Sequence, residues 1–87
     1  MSALDEARRS IDRIDRQIAD LFTERMAAAS TVAAYKAEHG LPILDKEREE
    51  QVIRRNAALI DDEAIRAHYV TFQRGMMAVS RTYQAEI

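Results

Sequence analysis

Between residues 3 and 38 the apolar side chains recur at intervals of three and four: Leu4, Ala7, Ile11, Ile14, Ile18, Leu21, Phe22, Ala29 and Val32. This spacing lays them along one stripe of an amphipathic helix, and no glycine or proline interrupts it. The first break is His39-Gly40-Leu41-Pro42, where Gly40 suits a left-handed cap. Asp45 is placed to be the N-cap or a first-turn acid of a second helix, which runs to about Leu59 with Val52 and Ile53 on its inner side. A second boundary falls at Ile60-Asp61-Asp62-Glu63. Asp61 or Asp62 caps a third helix from about Glu63 to Gln84, with Ile65, Tyr69, Phe72, Met76, Val79 and Tyr83 on its apolar side. Gly75 inside that helix either serves a close approach between helices or loosens the helix, at about 1 kcal/mol relative to alanine. The predicted class is all-α, with three helices per chain.

The first helix is out of proportion to the others. Residues 3–38 would make a rod roughly 54 Å long at 1.5 Å per residue, and the later helices, about half as long, cover only part of it. A stripe of that length predicts a second chain, with two long helices side by side and the short ones packed around them. The size of the chain points the same way. Its 87 residues make one domain, expected to span 1–87, which buries a modest core and is marginal without further support. There is no cysteine, so neither a disulfide nor a thiolate zinc site supplies that support, and a reducing, cytoplasmic setting is expected. With 13 basic and 15 acidic residues the formal net charge is −2, without the basic excess of a nucleic-acid binder. No apolar run approaches the length that spans a membrane, and the opening MSALDEARRSID lacks the apolar core of a signal peptide.

Charge changes the picture where it falls on the inner stripe. In the heptad series Leu4, Ile11, Ile18, Arg25, Val32, the fourth member is an arginine, and Lys36 returns to nearly the same face eleven residues later. Inward cations need anions, because an unpaired buried charge is costly. Each also has a plain structural reading: a buried salt bridge for Arg25, and a helix-end cation with a snorkelling stem for Lys36. On the second helix Asp45, Arg48 and Glu49 are neighbours at i, i+3 and i+4, although a run such as DKEREE also suits a solvated face. On the third, Ser80 and Gln84 are i, i+4 neighbours near a helix end. Arg8 lies 17 residues before Arg25, roughly 25 Å along the axis, and reaches only a partner's site; Arg9, Arg13 and Arg16 compete for that role on composition. Paired cations among apolar walls suit a ligand with two carboxylates. Nothing resembles a nucleophile–base pair, a metal-ligand spacing or a glycine-rich phosphate loop, so no cofactor or metal is expected.

LDEARRSIDRIDRQIADLFTERM ending near Arg25, then Lys36 with GLPILDKEREEQVI, then SRTYQ, together resemble the all-helical (AroQ) chorismate mutases over nearly the whole chain. The resemblance implies an intertwined helical homodimer that rearranges chorismate to prephenate in phenylalanine and tyrosine biosynthesis. It implies that Arg8 comes from the neighbouring subunit, that Arg25 binds a carboxylate, and that Lys36 contacts a carboxylate and the ether oxygen. It implies that Glu49 holds the ring hydroxyl, while Asp45 and Arg48 shape and charge the pocket. Ser80 would lie near the ring carboxylate and Gln84 would donate to the ether oxygen. Helical relatives that cleave isochorismate or act on 4-amino-4-deoxychorismate offer a second chemistry. A non-catalytic dimerisation module explains the stripe but not Arg25.

Overall fold

The computed structural model describes residues 2–87; of the expected domain span 1–87, Met1 lies outside the described residues. Three helices follow one another: α1 (Ala3–Glu38), α2 (Lys46–Ala57) and α3 (Glu63–Glu86), with no strand among the described residues. The bounds of α1 are those read from the sequence. α2 stops at Ala57 rather than Leu59, and α3 continues past Gln84 to Glu86.

Each boundary has a local cause. Ser2 caps α1, its Oγ accepting from the backbone N–H of Asp5 at 3.1 Å. Gly40 closes the other end at φ +65. The N–H of Leu41 reaches back to the Lys36 carbonyl (2.8 Å) and that of Gly40 to the Ala37 carbonyl (3.5 Å), a Schellman closure. Asp45 is the N-cap of α2, its Oδ1 accepting from the N–H of Arg48 at 3.1 Å. Of the two candidates at the third start, Asp62 is the cap, accepting from the N–H of Ala64 at 2.8 Å. Caps of this kind stabilise a helix by about 1 kcal/mol each. Arg66 pins the turn between α2 and α3 by donating to the carbonyls of Ile60 (2.9 Å) and Asp61 (3.2 Å).

α3 is the element that joins the others: it packs on both α1 and α2, which do not approach each other closely among the described residues. α2 runs antiparallel to α3, in a register visible turn by turn. Asn56 donates to the Gln73 side-chain oxygen at 3.0 Å. Ile53 and Met77 are buried one turn further on. Arg81 meets Glu49 on the next turn. Buried residues are few: Ala29, Ile53, Met77, Gln73 and Ser80.

The face of α3 that packs is therefore not its apolar side. Tyr69, Met76 and Tyr83 are half-buried, but Ile65, Phe72 and Val79 on α3, like Leu4, Ile11 and Ile18 on α1, remain 47–57% exposed. At 100° per residue the row Gln73, Met77, Ser80, Gln84 lies about a quarter-turn from the Phe72–Val79 row, so both are presented at once. Gly75 serves no close approach within the chain; a Cβ there meets nothing within 4 Å. The dimensions follow from the bare stripes. The chain measures 56 × 26 × 16 Å with a radius of gyration of 16.1 Å, against about 12 Å for a compact chain of this length. Its accessible surface is 6846 Å², against about 5200 Å² for a compact monomer of the same mass.

One surface ion pair ties α2 to α3: Arg74 holds Glu50 at 2.6 Å. The hydrogen bond from Arg74 is the chief cause that keeps the Glu50 carboxyl below its ordinary range; desolvation opposes it, and the charges of Arg74, Arg54 and Lys46 add to the lowering. A carboxyl lowered by folding adds stability above its unfolded value and loses it as pH falls through the folded one. The urea midpoint of the wild type should thus exceed that of Glu50→Gln slightly at about pH 7, with the gap narrowing as pH falls through and below the ordinary carboxylate range. A gap that widened on acidification would contradict the assignment.

Candidate active site

A cavity of about 310 Å³ lies between the C-terminal half of α1, the start of α2 and the C-terminal half of α3. It brings together seven of the eight residues singled out in the sequence: Arg25 and Lys36 from α1, Asp45, Arg48 and Glu49 from α2 and its cap, and Ser80 and Gln84 from α3. Ala29, Val32, Ile43, Val52 and Met77 supply the apolar wall. The eighth, Arg8, is exposed on α1 and does not line the cavity.

The elements that position these groups are local. The Gly40 turn folds the following strand of loop back over the end of α1, so that the Ile43 carbonyl accepts from Lys36 Nζ at 2.7 Å. One of three ammonium donors is thus used, and two remain. Arg25 is half-buried, and the salt bridge that a structural role would require is not formed: among the described residues neither Arg25, Lys36 nor the Arg48 side chain has an ion-pair partner. The two carboxylates in the wall are already engaged. Asp45 caps α2, and Glu49 Oε1 accepts from Arg81 Nη1 at 2.5 Å. Counting Arg25, Lys36, Arg48 and Arg81 against Asp45 and Glu49 leaves a formal charge of +2 in the wall of a chain whose net charge is −2.

Gln84 Nε2 donates to Ser80 Oγ at 3.1 Å, while Gln84 Oε1 is buried without a partner. An amide turned by 180° would accept from the Ser80 hydroxyl and put Nε2 in the place of the unpartnered oxygen, so the pair can offer either an acceptor or a donor. Arg81 is the residue that sequence reasoning missed. It stands within SRTYQ, but its partner lies 32 residues away, and only the antiparallel register of α2 and α3 brings them together. Among the described residues no group of three His, Cys, Asp or Glu side chains is arranged to hold a metal ion.

A second depression, an apolar groove of about 810 Å³, runs between α1 and α3 with Ile18, Leu21, Phe22, Phe72, Met76 and Val79 in its walls. Arg25 lines both the groove and the charged cavity. No helix among the described residues is long and apolar enough to cross a membrane.

The family model described as "Chorismate mutase type II" matches residues 7–85. The chain belongs to that family. The protein named "Chorismate mutase" of Methanocaldococcus jannaschii is 44% identical over 52 residues, which are 60% of this chain and 52% of that one. The "T-protein" of Haemophilus influenzae is 45% identical over 49 residues, 56% of this chain and 13% of that protein. The matches thus span about half of one curated relative and a small part of the other. A solved structure of a conserved hypothetical protein from Pyrococcus furiosus superposes with a TM-score of 0.75 at 32% identity, covering 97% of each chain. The match over 7–85 takes in all seven cavity residues and Arg8.

Proposed function

We propose that residues 1–87 act as a chorismate mutase domain, converting chorismate to prephenate by an intramolecular Claisen rearrangement in aromatic amino acid biosynthesis, as an intertwined homodimer. The observation that carries this reading is a cavity with apolar walls holding three cations, Arg25, Lys36 and Arg48, that have no carboxylate partner of their own. Chorismate carries two carboxylates, and the half-buried Arg25 and Lys36, with the exposed Arg48 beside them, favour a ligand that supplies the missing charge.

In the rearrangement a C–O bond breaks as a C–C bond forms, without a covalent intermediate on the protein and without a required proton transfer. The protein has two tasks. It holds the enolpyruvyl arm over the ring, which is a positional effect. It also stabilises the negative charge that builds on the ether oxygen, which is an electrostatic one. Arg25 and a partner's Arg8 clamp the carboxylates, with Arg48 and Asp45 shaping the pocket. Lys36 and a turned Gln84 amide donate to the ether oxygen. The free oxygen of Glu49 accepts from the ring hydroxyl, and Ser80 lies near the ring carboxylate. The dimer is supported by bare apolar stripes on α1 and α3 and by a surface roughly 1,600 Å² larger than a compact monomer's, on the scale of obligate interfaces. A cytoplasmic location belongs to the same proposal; its support is a chain without cysteine.

The test is loss of chorismate absorbance near neutral pH, with prephenate identified as the product and the mass measured in solution. Prephenate formed well above the uncatalysed rate by a species of twice 9.9 kDa is the expected result. A folded dimer without turnover on chorismate would overturn the activity, and an active monomer would overturn the assembly.

A further inference from the structure

We propose that Arg81 is a specificity-determining residue, which sets the preference of the site for a neutral hydroxyl over a cationic amine on the substrate ring. The proposal rests on the chorismate mutase reading and concerns the one wall contact which that reading leaves without a role. Arg81 Nη1 donates to Glu49 Oε1 at 2.5 Å, and both side chains are partly buried at the cavity wall. The pair is built into the packing. It continues the α2–α3 register set by Asn56–Gln73, two turns away, with Ile53 and Met77 buried on the turn between.

This contact has two chemical consequences. It fixes the Glu49 carboxylate by one oxygen. The other, Oε2, makes no hydrogen bond among the described residues and is left to accept from a ring substituent. It also offsets the Glu49 charge, so what faces the ring is an acceptor within a nearly neutral pair rather than an isolated anion. A hydroxyl needs only the acceptor. An ammonium at the same ring carbon gains chiefly from an uncompensated negative charge and is repelled by the guanidinium behind it. The sequence around Glu49 carries no trace of this, since DKEREE offers Lys46 and Arg48 as nearer cations, yet neither pairs with Glu49.

The experiment compares kcat/KM for chorismate and for the analogue whose ring hydroxyl is replaced by an amine, protonated near neutral pH. It uses the wild type, Arg81→Gln, Arg81→Met and Arg81→Lys, with helical content checked by circular dichroism. The wild type should favour the hydroxyl substrate. In Arg81→Gln and Arg81→Met the ratio should move toward the amine by about tenfold or more, with the loss on chorismate appearing in KM rather than kcat, because the hydroxyl contact persists from ground state to transition state. Arg81→Lys, which keeps the charge, should keep the wild-type ratio. Equal losses on both substrates in the Gln and Met variants would reduce Arg81 to a structural clasp and overturn the proposal. A wild type that favours the amine would overturn it without any variant, so a variant that fails to fold does not protect it. A wild type inactive on both substrates would overturn the chorismate mutase reading itself, a distinct result.

Discussion

Replacing Lys36 by alanine is expected to lower turnover about 10²- to 10³-fold, the usual cost of removing one donor aimed at a developing negative charge. The expectation follows from how the ammonium is held. Lys36 lies in the last turn of α1, and its backbone carbonyl is engaged by the N–H of Leu41 in the Gly40 turn. Its side chain is half-buried and anchored to the Ile43 carbonyl at 2.7 Å. The charge is therefore fixed before substrate arrives, and its interaction with the ether oxygen strengthens as the C–O bond lengthens, so the loss should fall on kcat. Stability is a smaller matter. The lost Ile43 contact contributes about 1 kcal/mol, which thermal denaturation would detect separately. Lys36→Arg retains charge but presents a planar fork in place of a compact ammonium, and it should recover only part of the rate. A folded Lys36→Ala protein with near-wild-type kcat would remove Lys36 from the chemistry.

How far the chain was legible depended on the range of the interactions involved. The extent of α1 was legible because periodicity, the absence of glycine and proline, and the Gly40 cap are all properties of neighbouring residues. The convergence of Asp45, Arg48 and Glu49 was legible for the same reason, and so was the pairing of Ser80 with Gln84, which appears as a 3.1 Å hydrogen bond. The sequence also hinted that Arg25 and Lys36 share a face, and one cavity contains both.

The orientation of α3 was not legible. Its apolar row Ile65, Phe72 and Val79 marks a face that wants cover, but a hydrophobic pattern does not say what covers it. Within the chain that face is bare, and the polar row with Gln73 and Ser80 is buried instead. Gln73 tolerates burial because Asn56 satisfies its side-chain oxygen. The Arg81–Glu49 contact was hidden for a related reason: it depends on helix register across a turn, which a chain of i, i+3 and i+4 relations does not encode. The capping role of Asp45 was foreseen, but not that its carboxylate would cap α2 without pairing with Lys36 or the Arg48 side chain.

The second large expectation concerns the shared site. Arg8→Ala and Arg25→Ala should each be nearly inactive alone, yet a mixture of the two should recover activity once subunits exchange. Arg8 lies roughly 25 Å along α1 from the Arg25 of its own chain, beyond reach of the same small ligand. Arg25, however, lines both the apolar groove and the charged cavity. In the proposed dimer, a partner's α1 laid antiparallel along that groove would bury Ile18, Leu21 and Phe22 and would carry its Arg8 toward the neighbouring Arg25. Two-fold symmetry then gives two equal sites, each with Arg25 from one chain and Arg8 from the other. In a mixed dimer one site has both arginines and the other has neither. Random exchange at equal concentrations makes half of the dimers mixed, so about a quarter of the wild-type activity should return. Arginines acting within one chain would give no recovery, since every site would then lack one of them. Exchange shown by mass spectrometry together with activity that stays at the level of the separate variants would therefore confine the site to a single chain, and would leave the exposed stripe of α1 to assembly alone.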